Sequence, residues 1–291
     1  MKKIVITGGS GQLGMELIHL LRNEYHIFAP NRYELDITQK KQVEQYLDDV
    51  RPYAIIHTAA YTQVDAAEID PSSPILVNAV GTRFLAAAAE RIGARMLYLS
   101  TDYVFDGKQQ TPYSELDIPS PLNVYGLSKL AGEKFVATLC SRYCIIRTSW
   151  LYGRYKENFV TKVIELAKQR KKMRMIADQI GSPTNAIDLA HFTRHLLMID
   201  AHGIYHASNE GHCSRYEFAD TIVKLLGVKG TIIPCKSGDF PVLARRPKNS
   251  QLISHRGVPR MRHWESALQE YIHEGASADW NDELFYRSSM H

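Results

Sequence analysis

Long apolar segments are missing from this chain of 291 residues. No hydrophobic run approaches the roughly 20 residues that a membrane-spanning helix needs, so we expect no membrane partner. The N-terminal segment, residues 1–8, leads directly into a glycine-rich turn and contains no long apolar signal segment. These two absences predict a cytoplasmic protein.

Cysteine and strong charge are also scarce. The four cysteines form no Cys-x-x-Cys pair and have no zinc-like spacing with histidine, so the sequence predicts free thiols and no metal site. The formal net charge is +4, and the dense basic cluster at residues 170–174 lies between a predicted helix and a predicted strand. We interpret that cluster as a solvated connection and expect no nucleic-acid partner.

A glycine-rich turn at residues 8–14 follows a predicted strand and opens a predicted helix. A dinucleotide-binding fingerprint requires this context, because glycine permits close backbone approach to a pyrophosphate and the helix N-terminus offers free N–H groups. A tight turn without a ligand is the alternative interpretation. We predict that the cofactor is contacted here by Gly8, Gly11, Gln12 and Leu13.

Short apolar runs alternate with helical periodicity through the first half of the chain. The runs that predict strands lie at residues 3–7, 25–29, 54–58, 95–100 and 142–148. Residues 36–38 have the character of an N-cap region for a helix at 39–50, and a longer helix is predicted at 74–92. The alternation predicts an α/β fold with a Rossmann-type, doubly wound parallel sheet.

The second half of the chain is less regular. We predict a dinucleotide-binding Rossmann domain at residues 1–150, with residues 151–291 forming mainly a smaller α/β substrate-binding lobe. The lobe is expected to be partly interleaved with the first domain, and the last dozen residues to form a loosely held tail.

The end of the second predicted strand affects the choice between NADPH and NADH. An NAD-selective site carries an acidic residue there, whereas this chain has Asn31 and Arg32. Arg32 faces the 2′-phosphate of NADPH in one interpretation and is an exposed loop residue in the other. We predict NADPH, with NADH as an alternative. The further residues assigned to the cofactor are Asn31, Arg32, Asp36, Ile37, Ala59, Ala60 and Tyr61.

Tyr125 and Lys129 stand four residues apart in a segment rich in helix formers. On a helix they would project from one face, and an ammonium near a phenol lowers the pKa of that phenol. Such a pair can donate a proton to a developing alkoxide or remove one from an alcohol. Two exposed neighbours on a helix are the alternative, since this spacing often occurs by chance.

Polar residues also follow the fourth predicted strand. Thr101 and Asp102 lie at its carboxyl end, where side chains of a doubly wound sheet face the ligand crevice. They are therefore candidate site residues. The segment from Tyr103 to Gly107 could be a plain turn.

Together, the glycine turn, Ser100-Thr101-Asp102 and Tyr125-x-x-x-Lys129 resemble the extended short-chain dehydrogenase/reductase superfamily. Longer strings at residues 100–107, 148–153, 178–184 and 245–250 are similar to those of the dTDP-4-dehydrorhamnose reductase family, and the resemblance covers nearly the whole chain. It implies NAD(P)H-dependent reduction of the C4 keto group of dTDP-4-dehydro-L-rhamnose to give dTDP-L-rhamnose. A nucleotide sugar would be the partner, and a homodimer is compatible with the resemblance.

The resemblance also implies roles for individual residues. Tyr125 would be the general acid that protonates the C4 oxygen, and Thr101 would hydrogen-bond that oxygen. Lys129 would hold the nicotinamide ribose and lower the pKa of Tyr125. Aligned donors at this oxygen stabilise the charge that develops in the transition state. The residues implied on the substrate side are Thr101, Asp102, Tyr103, Trp150, Arg246 and Asn249.

Two other functions stay open at this point. A sugar-nucleotide dehydratase or epimerase shares the fold and the Tyr-x-x-x-Lys motif, but dehydratases typically follow Thr-Asp with Glu, and this chain has Tyr103 there. A non-catalytic NADP-binding regulatory subunit, resembling that of methionine adenosyltransferase, would bind a cofactor without consuming it. Fold alone does not choose among these functions.

Overall fold

The computed structural model describes residues 1–169, 172–228 and 230–277. The tail that the sequence predicts, and Arg170 and Lys171 of the basic cluster, therefore lie outside the described residues. In chain order, the strands are β1 (Lys3–Thr7), β2 (His26–Phe28), β3 (Ala54–His57), β4 (Arg95–Thr101), β5 (Tyr143–Thr148), β6 (Leu151–Tyr152), β7 (Lys172–Ile176), β8 (Ile180–Gly181), β9 (Thr184–Asn185), β10 (Gly203–His206), β11 (Asn209–Glu210), β12 (Cys213–Ser214), β13 (Thr231–Cys235) and β14 (Met261–His263).

Helices connect most of the strands of the main sheet. In chain order they are α1 (Gln12–Leu21), α2 (Lys40–Val50), α3 (Val64–Ile69), α4 (Ser72–Pro74), α5 (Thr82–Ile92), α6 (Val124–Leu139), α7 (Phe159–Lys168), α8 (Ala186–Met198), α9 (Arg215–Leu226) and α10 (Trp264–Ser277). A π-helical segment, Ile75–Gly81, joins α4 to α5, and short 3-10 turns cover Asp102–Val104 and Ser237–Asp239.

The main sheet has six strands in the order β10-β5-β4-β3-β1-β2, and every neighbouring pair is parallel. Helices α1 and α8 cover one face, where Leu17 and Leu189 share a core with Ile4. Helices α2, α5 and α6 cover the other, where Leu47 and Val136 pack in a second core. Because both faces are covered, the central strands are apolar and buried, which confirms the predicted doubly wound α/β sheet. The strand order reverses between β1 and β3, and a ligand crevice opens at the carboxyl ends of the strands at such a point.

Part of the second half of the chain belongs to this sheet. β10 pairs with β5, with Gly203 beside Cys144, and α8 packs on the same face as α1. The remaining elements build a separate core around Tyr152, Phe218 and Trp264, against which α7, α9 and α10 pack. The chain therefore returns to the first sheet before it completes the second core. The domain boundary at residue 150 stays a prediction.

Two helix starts differ from the sequence-based predictions. The N-cap of α2 is Gln39, because Asp36 is already occupied in a turn of its own. Its Oδ1 accepts hydrogen bonds from the main-chain N–H and the hydroxyl of Thr38, at 2.9 and 2.7 Å. The helix predicted at 74–92 begins earlier, at Ser72, and is π-helical from Ile75 to Gly81. An extra residue per turn of this kind often marks a functional site.

No helix in the described part of the chain is long and apolar enough to cross a membrane. All four cysteines are buried free thiols, as predicted. Among residues 1–169, 172–228 and 230–277, no three side chains of His, Cys, Asp or Glu are grouped so that they could hold a metal ion.

Candidate active site

The turn between β1 and α1 forms a cradle of three glycines, Gly8, Gly9 and Gly11, and one small residue, Ser10. Gly11 is the N-cap of α1, no side chain caps the helix, and its first turn contains no acidic residue. A Cβ atom on Gly14 would lie 2.3 Å from the carbonyl oxygen of Gly8, so only glycine permits this packing. Gln12 and Leu13 are the first two residues of the helix. An uncapped helix N-terminus beside a bare turn fits a pyrophosphate, so the residues present suit a dinucleotide cofactor.

The opposite side of this cradle is formed by the segment after β3. Ala59 lies against Gly8, and Ala60 and Tyr61 continue the chain along the crevice. Asn78 fixes this segment: its Oδ1 accepts the N–H of Tyr61 at 2.8 Å, and its Nδ2 donates to the Tyr61 carbonyl at 3.0 Å. The main chain at Tyr61 is therefore held by the π-helical segment that contains Asn78.

Arg32 lies in the turn that follows β2. Its side chain is 82% exposed, and its Nε lies 3.9 Å from the Asp36 carboxylate. Asn31 shapes the turn by accepting two main-chain N–H groups at 2.8 and 3.1 Å. Ile37 is buried against Gly81 and belongs to the core beneath the crevice. The turn thus presents one loosely paired cation, Arg32, beyond the carboxyl end of β2.

Helix α6 carries Tyr125 into the crevice. Its N-cap is Asn123, whose Oδ1 accepts the N–H of Gly126 at 2.8 Å. A Cβ atom on Gly126 would lie 2.2 Å from the carbonyl oxygen of Tyr103, so glycine lets the helix start touch the turn after β4. The rings of Tyr103 and Tyr125 consequently meet edge to face, with centroids 5.9 Å apart. This close contact brings Tyr125 beside Thr101.

Tyr125, Thr101 and Asp102 form a hydrogen-bonded group. The Thr101 hydroxyl donates to Asp102 Oδ1 at 3.1 Å and accepts the N–H of Tyr103 at 3.2 Å. Burial raises the pKa of Tyr125 above its usual value, while its hydrogen bond with Thr101 lowers the pKa and the charge of Asp102 raises it. Tyr125 is therefore protonated at neutral pH, which is the form that can act as a general acid.

Lys129 is buried, and its ammonium lies 4.2 Å from the centroid of the Tyr98 ring. Burial lowers the pKa of Lys129 to about 7, and the nearby Glu133 carboxylate opposes this effect. The expectation that Lys129 lowers the pKa of Tyr125 is wrong for this structure. The burial of the phenol dominates its pKa, and the groups that act on it are Thr101 and its neighbours rather than Lys129.

Asp102 is 2% exposed, and its Oδ2 has no hydrogen-bond partner in the part of the chain that the structure describes. Burial raises the pKa of Asp102 to about 6, while the nearby Ser250 and Thr101 hydroxyls and the Arg215 guanidinium lower it. Buried polar atoms nearly always have a partner in folded proteins. An orphaned carboxylate oxygen beside Tyr125 therefore suits a ligand that offers a hydroxyl group.

The raised pKa of Asp102 predicts a change of stability with pH. Its folded pKa of about 6 exceeds the ordinary value of 3.8, so ionisation of Asp102 destabilises the folded protein. The cost is absent below about pH 4, grows as the pH rises, and is complete above about pH 6. Asp102→Asn should therefore gain about 2–3 kcal/mol in free energy of unfolding relative to the parent between pH 4 and pH 7. Urea unfolding of both proteins across this range measures the difference. A difference that does not change with pH would contradict the burial of an ionisable Asp102.

The predicted substrate residues lie in two groups. Trp150 follows β5 and is half-buried. Arg246 lies beside Tyr103. It also donates two hydrogen bonds to the Asp65 carboxylate, at 2.9 and 2.5 Å. Asn249 differs: its Nδ2 donates to a main-chain carbonyl at 2.9 Å, and its Oδ1 accepts a main-chain N–H at 3.2 Å. The Asn249 amide therefore already holds two loop segments together. Its contact with the substrate stays a prediction.

The sequence of this chain is similar to those of known proteins. The chain matches the model of the RmlD substrate binding domain family over residues 1–277. It is 41% identical over 266 residues to the dTDP-4-dehydrorhamnose reductase of Aggregatibacter actinomycetemcomitans, covering 87% of this chain and 90% of that protein. The chain belongs to the dTDP-4-dehydrorhamnose reductase family. This confirms the resemblance that the sequence motifs indicate.

Two further proteins are similar to this member of the reductase family over most of its length. The crystal structure of dTDP-4-dehydrorhamnose reductase from Bacillus anthracis in complex with NADP has a TM-score of 0.92 and 42% identity, covering 94% of this chain and 99% of that one. The spore coat polysaccharide biosynthesis protein SpsK of Bacillus subtilis is 38% identical over 285 residues, covering 96% of this chain and 99% of that protein.

Two residues of this reductase-family site have no role in the sequence-based interpretation. Asn78 is buried within a predicted helix, and besides Tyr61 it donates to Ser128 Oγ on α6 at 2.9 Å. Arg215 is the first residue of α9, and its guanidinium carbon lies 3.5 Å from the centroid of the Trp150 ring. A buried polar residue inside an apolar helix is the only signal that could have indicated Asn78. Nothing in its local sequence distinguishes Arg215.

Proposed function

We propose that this chain reduces the C4 keto group of dTDP-4-dehydro-L-rhamnose with NADPH and gives dTDP-L-rhamnose. The observation that carries the proposal is the Tyr125–Thr101–Asp102 hydrogen-bonded group at the carboxyl end of β4, in a chain of the reductase family. NADH is an alternative electron donor. The bound nicotinamide supplies the hydride, and the protein supplies orientation and the proton.

Each residue of the group has a distinct task. Tyr125 is protonated because it is buried, and its hydroxyl donates the proton that the C4 oxygen takes up. The Thr101 hydroxyl is hydrogen-bonded with Tyr125, and by turning its single proton from Asp102 to the C4 oxygen it stabilises the negative charge that develops there. Asp102 accepts a hydrogen bond from a hydroxyl group of the sugar through its orphaned Oδ2. Lys129, on the same helix, holds the nicotinamide ribose.

The remaining assignments are part of the same proposal. The cradle at Gly8–Leu13 binds the pyrophosphate, and the segment Ala59–Tyr61 lies along the cofactor. We assign Trp150, Tyr103 and Arg246 to the sugar nucleotide, with residues 151–291 forming most of its lobe. A cytoplasmic location and a homodimer are proposals of the same kind, and light scattering of the purified protein measures the second.

The alternatives make different chemical demands. A dehydratase typically has Glu where this chain has Tyr103, and burial raises the pKa of Tyr103, so its hydroxyl stays protonated and does not supply a base beside the sugar ring. A regulatory subunit needs the cofactor but no proton donor. The group of Tyr125, Thr101 and Asp102 favours a reductase over both.

A panel of keto-sugars tests the proposal. NADPH absorbance at saturating cofactor is followed with dTDP-4-dehydro-L-rhamnose, with its D-configured dTDP-4-keto-6-deoxy isomer, and with UDP- and GDP-linked keto-sugars. We expect the first compound to give the highest kcat/KM. Cofactor oxidation no faster with any keto-sugar than without one would indicate a binding subunit. A higher kcat/KM for another keto-sugar of the panel would mean that the chain has a different substrate.

Arg32 provides a test of cofactor choice. An exposed guanidinium that is only loosely paired can form charge-assisted, bidentate hydrogen bonds with a 2′-phosphate. Arg32→Ala should therefore raise the KM for NADPH by about 10- to 100-fold, while the KM for NADH changes little. The matched control is Arg91→Ala, which removes another exposed arginine that is paired with an aspartate, Asp48. Equal changes for the two cofactors would show that Arg32 is only a surface residue.

A further inference from the structure

Trp150 has a backbone conformation that a bulky residue seldom adopts. Its φ is +46°, in the left-handed region. Such a conformation persists only where the surrounding structure holds it, and it is most frequent at functional sites. The Trp150 carbonyl accepts the N–H of Thr184 at 3.3 Å, which fixes the main chain on one side. The position of the indole must be set by the groups that pack on it.

One short pair of strands supplies two of those groups. β8 and β12 are antiparallel, with Gly181 opposite Cys213. Gly181 lies so close to the indole that a Cβ atom would be 2.5 Å from Cε2 of Trp150. Arg215 directly follows β12, and its guanidinium carbon lies 3.5 Å from the Trp150 ring centroid. A cation at this distance over an indole is strongly attracted to the ring.

Arg215 is itself held in place. The residue before it, Ser214, caps α9: its hydroxyl accepts the N–H of Glu217 at 3.0 Å, and Glu217 accepts the N–H of Ser214 at 2.7 Å. This reciprocal arrangement fixes the start of the helix. The positive charge of Arg215 acts on Asp102 and on Tyr103 and lowers the pKa of each.

We propose that Arg215 is a positioning residue of the sugar subsite. It keeps the indole of Trp150 in place by stacking on it, and it supplies a positive charge that acts on Asp102 and Tyr103. The inference rests on the proposed function, in which these three residues contact the sugar nucleotide. The cofactor cradle is built from α1 and the segment after β3, so Arg215 should affect the sugar and leave the cofactor alone.

Replacement of Arg215 tests whether this residue affects the sugar subsite without affecting the cofactor site. Arg215→Met removes the planar cation and keeps most of the side-chain length. We expect kcat/KM for dTDP-4-dehydro-L-rhamnose to fall by about 2- to 30-fold, mainly through KM, with the KM for NADPH unchanged. Arg215→Lys keeps the charge without the planar guanidinium and should recover part of the loss. The matched control is Arg174→Met. The guanidinium carbon of Arg174 lies 5.5 Å from the centroid of the Phe240 ring, elsewhere in the second half of the chain. This variant should behave as the parent.

A double-mutant cycle shows whether Arg215 acts through Trp150. If the two form one unit, Arg215→Met should cost less in a Trp150→Leu background than in the parent. An equal fold-loss of kcat/KM in both backgrounds would overturn the proposal. An equal rise in KM for NADPH and for the keto-sugar would also overturn it. Parent-like kinetics of Arg215→Met would overturn this inference alone. A parent that does not consume the keto-sugar would overturn the proposed function together with it.

Discussion

Tyr125→Phe should lower kcat for keto-sugar reduction by about 10²–10⁴-fold, the usual contribution of a positioned general acid. The substitution keeps the ring and its edge-to-face contact with Tyr103, so packing at the start of α6 should survive. It removes the hydroxyl that Thr101 orients and that burial keeps protonated. Because the lost interaction acts in the transition state, kcat should fall while the KM for NADPH and the dissociation constant of the sugar nucleotide change little.

The control is Tyr46→Phe, which removes the hydroxyl of a half-buried tyrosine on α2 rather than on α6. It should be as active as the parent. Melting temperatures of all three proteins exclude simple unfolding as the cause of a loss. A Tyr125→Phe enzyme with near-normal kcat, when chemistry limits the rate, would mean that the proton comes from another donor.

Glu133→Gln should lower the free energy of unfolding by about 3–5 kcal/mol, because it leaves the Arg147 charge buried without a counter-charge. The two side chains are 3% and 2% exposed, and Arg147 donates to Glu133 at 2.9 and 2.7 Å. The Ser100 hydroxyl donates to the same carboxylate at 2.5 Å. This contact joins α6, which carries Tyr125, to β4, which carries Thr101, and to β5, so its loss should also lower kcat.

Two further proteins separate an uncompensated charge from lost packing. The double variant Glu133→Leu/Arg147→Met removes both charges and should be more stable than Glu133→Gln, since an apolar pair of similar volume often replaces a buried ion pair at little cost. Lys224→Met removes an exposed ion pair with Asp220 and should change stability by less than about 1 kcal/mol. Urea unfolding measures all of them. A Glu133→Gln protein within 1 kcal/mol of the parent would contradict a desolvated ion pair.

Much of the framework was predictable from local pattern. The apolar runs at β1, β3 and β5 and the glycine turn before α1 are short-range signals, and the sheet confirms the predicted fold. The helix formers after Gly126 also predicted a helix, and Tyr125 and Lys129 both lie on α6. These signals come from residues that are close together in the sequence, and on a helix side chains at fixed spacing share a face.

The rest depends on contacts between distant parts of the chain. Arg215 stacks on Trp150 and Asn78 bonds to Ser128, and no local pattern indicates either partner. The pKa of Tyr125 is a second example: spacing suggested that Lys129 would lower it, whereas burial raises it. Burial is a property of the assembled core, so a motif by itself does not give the charge state of its members.

Transfer of a labelled hydride tests the central claim most directly. Purified protein is incubated with dTDP-4-dehydro-L-rhamnose and NADPH that carries deuterium at the transferable position of the nicotinamide, and the product is examined by NMR. We predict dTDP-L-rhamnose with one deuterium at C4 of the sugar for each cofactor oxidised. Cofactor oxidation without deuterium at C4, or a bound cofactor that is never consumed in the presence of the keto-sugar, would contradict it.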